Sequence, residues 1–86
     1  MMAETILEQV RDRRKEQDKE WGIHDHSWEF WMLILAEEVG EYAKAVLVNP
    51  TNIQYEAIDV AAVAVAIAEQ AQREFPCAKD ESAGGG

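Results

Sequence analysis

The chain has 86 residues and a mass of 9.7 kDa, enough for one small domain and too little for two. Hydrophobic residues make up 48% and charged residues 29%, which excludes a disordered composition. Eight bases against seventeen acids leave a net charge of -9, which argues against a general nucleic-acid or membrane-surface binder, because both need a basic face.

The N-terminal stretch MMAETILEQVRDRR has no apolar run after a basic start, so no signal peptide is expected. The first predicted helix covers about residues 3–20, with Ile6, Leu7 and Val10 apolar and a charged stretch after them. It ends near Trp21-Gly22. Ser27 is the expected N-cap of a second helix over about 28–48, which Asn49-Pro50 breaks. Thr51-Asn52-Ile53-Gln54 has the pattern of a capping box, and a third helix is expected over about 52–74, stopped by Phe75-Pro76. Residues 1–76 therefore read as one helical domain, and residues 77–86, with a terminal glycine triplet, as a disordered tail. The single cysteine, Cys77, allows no intrachain disulfide. The longest apolar run, Val60 to Ala68, is half a membrane span, so the expectation is a soluble, cytoplasmic protein that needs no membrane.

On the second helix, Trp28, Trp31, Met32, Leu35, Val39, Tyr42, Ala43 and Val46 fall on one stripe, expected to be the core face. The third helix differs. Between Ala57 and Ala68 every residue except Asp59 is apolar, and a helix apolar all round needs cover on every side. Three helices cannot enclose one of their own number. The expected fold is therefore an all-α bundle of about three helices per chain, completed by a homodimer or homotetramer.

Asp59 is an ionisable group inside that apolar run, and a buried carboxylate must be paired, protonated or bound to a metal. Glu56 precedes it by three residues on the same face, and the third helix has no lysine or arginine before Arg73. The second helix offers Glu38 and Glu41 at the same spacing, at the edge of its stripe beside Ile34 and Ala45, with Glu37 further toward solvent. A short Asn-Pro turn makes the two helices antiparallel neighbours, so the two acid pairs face one another across a groove. All-oxygen ligation selects Mg²⁺ or Mn²⁺ over zinc, and a phosphate ester is the natural substrate of such a site. With metal-free carboxylates repelling one another, Asp59→Asn is expected to leave the melting temperature in EDTA unchanged or to raise it. A di-iron bundle needs Glu-x-x-His on its helices, and no such pattern occurs here. His24 and His26 form an isolated His-x-His in a loop, which is weak evidence for zinc.

Glu38-Val39-Gly40-Glu41, followed after fourteen residues by Glu56-Ala57-Ile58-Asp59, resembles the paired motifs of the MazG-like all-α nucleoside triphosphate pyrophosphohydrolases. The segment from Gln17 to Gly22, then His26, then Trp31 to Glu38, also looks like short members of that family, and the resemblance covers about residues 10–72. It implies hydrolysis of a nucleoside triphosphate to the monophosphate and pyrophosphate, with Glu38, Glu41, Glu56 and Asp59 binding Mg²⁺. Either Glu37 or Glu41 would orient or deprotonate the attacking water. Trp21 and His26 match positions near the family's nucleoside pocket, where Trp21 stacks on the base or simply packs. Arg13, Gln17 and Lys19 are in reach of the triphosphate or belong to a solvated face, and Lys44 is a phosphate contact or a surface ion pair with Glu41.

Two departures from the family bear on substrate preference and assembly. Val63 stands where several relatives carry a polar or aromatic residue, and a glycine-rich tail stands where many have a fourth helix. The nearest enzymatic alternative is a phosphoribosyl-ATP pyrophosphatase, which shares the acid arrangement. The alternative of another class is a non-catalytic helical assembly module whose acids hold a structural ion.

Overall fold

A computed structural model describes residues 4–22, without the Trp21 side chain, and residues 25–76. Three helices fill it: α1 (Ile6–Trp21), α2 (Trp28–Val48) and α3 (Ile53–Glu74), with a 3-10 turn at Pro50–Asn52 between the last two. Among the described residues there is no strand, as the composition and periodicity predict. No described helix is long and apolar enough to cross a membrane. The expected tail at 77–86 lies outside the described residues.

Local chemistry fixes each boundary. α1 starts at Ile6 rather than near residue 3, because Thr5 and Glu8 form a capping box. The Glu8 N–H donates to Thr5 Oγ1 at 3.1 Å and the Thr5 N–H donates to Glu8 Oε1 at 2.7 Å. Gly22, at φ 78°, ends the helix in a conformation that L side chains resist, and its N–H donates to the Asp18 carbonyl. Ser27 caps α2 as expected, its hydroxyl accepting from the Phe30 N–H at 3.1 Å. The capping box expected at Thr51 is absent. Pro50 opens a tight turn in which the Asn52 N–H donates to the Asn49 carbonyl, and Thr51 Oγ1 donates to Asn49 Oδ1 at 2.8 Å. Thr51 is thus inside the turn, and no side chain caps α3.

α3 packs against both α1 and α2. Val10 meets Ile58 and Ala62 on one side, and Trp31 meets Val63 and Ala66 on the other, with Trp28, Ile34, Leu35 and Ile67 around them. The core stripe expected on α2 is corrected here. Trp31 is buried and Trp28 and Leu35 are half-buried, but Met32 is 69% exposed, and Val39, Tyr42, Ala43 and Val46 are exposed too. The line that faces α3 runs through Trp31, Ile34, Glu38 and Ala45. The rotation brings a carboxylate inward, because the Trp31 indole is held on α3: its Nε1–H donates to Gln70 Oε1 at 2.7 Å. On α3, Ile58, Asp59, Ala62, Val63 and Ala66 are buried, whereas Ala57, Ala64, Val65 and Ala68 are exposed. Two neighbours thus cover two faces of an apolar helix, and no described residue covers the third, small-residue face.

Candidate functional site

The antiparallel turn sets the inward line of α2 against the first half of α3. Glu38 from α2 and Glu56 and Asp59 from α3 each bring one carboxylate oxygen within 4.8 Å of the others. Asp59 is 5% exposed, and Glu38 and Glu56 are half-buried. Glu38 Oε2 and Glu56 Oε1 are both buried and accept no hydrogen bond from any described residue. Buried acceptors left unmatched are costly, so this is the place in the groove where charge is least compensated.

Asp59 is compensated, and by a residue from outside the two acid motifs. Arg13 on α1 donates from Nε to Asp59 Oδ1 at 2.6 Å, while its Nη1 reaches Glu16 at 3.3 Å and Glu20 at 3.2 Å. Burial acts to lower the basicity of Arg13, but its bond and charge pairing with Asp59 outweigh that and raise it. The third helix supplies no cation before Arg73, as its sequence shows, but α1 does, and Arg13 pairs with Asp59 rather than standing free for a triphosphate. That pairing removes the expected relief on Asp59→Asn, since the change now weakens an ion pair. Sequence offered a signal for this: Val10, Arg13 and Gln17 continue one face of α1, so an arginine follows an apolar residue on the inward line.

The remaining acids feel each other. Burial, then the charges of Glu41, Asp59 and Glu56, push the Glu38 carboxyl up to about 7, against a smaller opposing effect from Arg13. Burial, then Glu41 and Asp59, raise Glu56 as well. Glu41 itself does not join the three-acid cluster; it is exposed and lines the cleft toward the turn beside Glu56.

Two clefts adjoin the cluster. One, of about 390 Å³, lies toward the turn and is lined by Glu41, Lys44, Asn49, Asn52 and Glu56. The other, of about 370 Å³, is lined by His26, Phe30, Ile34, Glu37 and Glu38. Lys44 therefore stands beside two of the expected acids, and Glu37 beside a third. His26 packs its ring 4.8 Å from Phe30 and 4.9 Å from Trp31. Its backbone is pinned by Gln70, whose Oε1 accepts from the His26 N–H at 3.0 Å and whose Nε2–H donates to the His26 carbonyl at 2.8 Å. Gln70, 2% exposed, escaped the sequence reading although it lies on the same face of α3 as Asp59 and Val63. Lys19 is exposed and lines neither cleft. The side chain of Trp21 and all of His24 lie outside the described residues.

The donor set is all oxygen, and two of its atoms are buried and unmatched, which fits a hard divalent cation. One oxygen from each of the three carboxylates, within 4.8 Å of the others, could share such an ion. Arg13 occupies Asp59 Oδ1 and supplies part of the positive charge that the acids require. Comparisons with protein-family models, curated proteins and solved structures give no match to this chain.

Proposed function

We propose that the chain is a Mg²⁺-dependent nucleoside triphosphate pyrophosphohydrolase that converts an NTP or dNTP to the monophosphate and pyrophosphate, in the service of nucleotide pool sanitation. The observation that carries this reading is the meeting of Glu38, Glu56 and Asp59, with two unmatched buried oxygens, between a cleft holding Lys44 and a cleft walled by His26 and Phe30. Glu38, Glu56 and Asp59 hold the ion, with Glu41 joining from the cleft it shares with Glu56. Bound there, Mg²⁺ supplies positive charge to the phosphoryl oxygens and lowers the pKa of water. Lys44 adds charge for the polyphosphate on one side, and the aromatic wall of His26 and Phe30 receives the nucleoside on the other. Trp21 keeps the place beside the nucleoside that the resemblance implies, while Lys19, which lines neither cleft, fits the solvated-face reading. Arg13 fixes Asp59 in place, so that the ligand is positioned before substrate arrives. Glu41 lines one cleft and Glu37 the other, and one of the two takes a proton from water in this reading. Loss of turnover on Glu37→Gln assigns that role to Glu37; Glu41, also proposed as a ligand, is assigned it only if Glu41→Gln loses turnover while keeping its Mg²⁺ affinity.

The products provide a first test. Water attacking the α-phosphorus yields monophosphate and pyrophosphate, and a main product of diphosphate with free phosphate contradicts the proposed reaction. A panel that includes phosphoribosyl-ATP separates the nucleotide enzyme from the phosphoribosyl-ATP alternative. One observation favours a second reading, a non-catalytic helical module. The Arg13–Asp59 pair gives the buried aspartate a purely structural partner.

The same reading has the chain working as a homodimer or homotetramer. Ala57, Ala64 and Ala68, with half-buried Ala61, repeat along one side of α3, and residues this small let two helices approach closely. Leu33 and Leu47 on α2 are 68% and 81% exposed, a second unmatched apolar surface. Light scattering at micromolar concentration is expected to return at least twice 9.7 kDa, and Ala64→Glu to shift the protein to monomer or unfold it. A compact wild-type monomer, or a normal oligomer in the variant, contradicts this assignment of the interface.

A further inference from the structure

α1 has a second polar flank, away from Asp59. Residues 11, 14, 15 and 18 share one side of the helix, whereas Arg13 points to the acid cluster. Between this flank and the C-terminal half of α3 lies a cleft of about 450 Å³, the size of many small-molecule sites. Its sign is opposite to that of the chain. Arg11, Arg14, Lys15 and Arg73, four of the eight basic residues, line it. The acids beside it, Asp18 and Glu69, are both taken by Arg14, at 2.9 and 2.8 Å. Arg73 pairs with Asp25 at 2.7 Å, and Arg11 and Lys15 enter no ion pair among the described residues.

Gln17 lines the same cleft and is 1% exposed, yet neither Oε1 nor Nε2 has a hydrogen-bond partner among the described residues. Arg14 Nε is likewise buried and unmatched. A leucine would fill the space beneath α1 without stranding two polar atoms, so a glutamine here is a stability defect in the free protein. A ligand that matches both atoms removes the defect. A carboxamide offers one donor and one acceptor side by side, the pairing that reads the edge of a nucleobase. His26, half-buried, also lines the cleft with Trp31 buried behind it, while Arg11 and Lys15 stand outside any ion pair as cations for a phosphate.

We propose that this cleft between α1 and α3 is a second, metal-independent ligand site for a nucleoside monophosphate, with Gln17 reading the base edge and Arg11 and Lys15 holding the phosphate. The site shares no acid with the three-acid cluster, meets the cleft proposed for the nucleoside only at His26, and does not depend on that cluster being catalytic.

The test is a titration of the full chain in EDTA with AMP, GMP, CMP and UMP, followed by backbone amide shifts, with inorganic phosphate and the matching nucleosides as separate probes. EDTA leaves the acid groove repulsive to phosphate, so metal-dependent binding there drops out. At least one monophosphate is expected to bind with shifts centred on residues 11–18 and 66–73. Arg11→Glu combined with Lys15→Glu, on exposed side chains, should weaken it at least tenfold and leave nucleoside binding unchanged. Gln17→Leu should reduce monophosphate affinity to that of inorganic phosphate while holding or raising the melting temperature. Absence of binding, shifts centred on Glu41 and Glu56, equal affinity for phosphate and monophosphate in the wild type, or indifference to the charge reversal each overturns the proposal. If Gln17→Leu does not fold, the charge-reversal variant decides alone.

Discussion

Asp59→Asn is expected to abolish Mg²⁺-dependent pyrophosphate release, by at least about 100-fold, and to lower the melting temperature in EDTA. The two effects have different causes. A carboxamide is a poor ligand for a hard cation, which accounts for the lost turnover. The stability effect comes from Arg13, whose 2.6 Å bond to Asp59 is charge-assisted and shielded from solvent. Asparagine still offers an oxygen to Arg13, and Glu16 and Glu20 still pair with it, so the loss is less than that of a bare buried charge. About 1–3 kcal/mol is reasonable, against a smaller gain from relieving Glu38 and Glu56. In a domain of this size that is a fall of about 5 °C or more. Retained turnover, whatever the melting temperature does, contradicts the metal-ligand role of Asp59. An unchanged or raised melting temperature contradicts the structural weight given to the Arg13 pair.

Glu38→Gln separates repulsion from pairing, because Glu38 bonds no cation among the described residues. Its carboxyl titrates at about 7 in the folded protein against an ordinary 4.5. Between those values the folded chain holds a proton that the unfolded chain has released. The stability this gives is full below about pH 4.5 and is lost as pH rises through about 7. Gln mimics the protonated form at every pH. In EDTA the variant should therefore match the wild type near pH 4.5 and exceed it above pH 7 by a few degrees. That corresponds to about 1 kcal/mol after allowance for solvent screening of a half-buried group. Saturating Mg²⁺ binds the ionised cluster, so it should flatten the wild-type slope and stabilise the variant far less. Thermal melts from pH 4.5 to 8, with EDTA or Mg²⁺, test this, and parallel curves for the two proteins in EDTA contradict it.

The helices were legible because their ends are written in local chemistry: Ser27 before α2, Asn49-Pro50 after it, Phe75-Pro76 after α3. The acid cluster was legible for a related reason, since i, i+3 spacing and a short turn suffice to bring Glu38, Glu56 and Asp59 together. The rotation of α2 was not. Trp28 and every residue from Phe30 to Leu35 is apolar, so more than one stripe satisfies the periodicity, and the bond between Trp31 and Gln70 on another helix decides. The turn before α3 misled because Thr51-x-x-Gln54 is a capping pattern only if the preceding residues are extended, and Pro50 starts a 3-10 turn instead. Arg13 is not legible from α3 alone, because the partner of Asp59 comes across the α1–α3 contact from 46 residues away.

The measurement that bears most directly on the central claim is steady-state pyrophosphate release by the wild-type chain over a panel of NTPs and dNTPs, with Mg²⁺ and with EDTA. A metal-dependent enzyme releases pyrophosphate and monophosphate in equal amounts from at least one substrate, only when Mg²⁺ is present, and loses that activity in Glu38→Gln, Glu56→Gln and Asp59→Asn. A folded wild-type protein that releases no pyrophosphate from any member of the panel, or releases it equally in EDTA and in the three variants, contradicts the account.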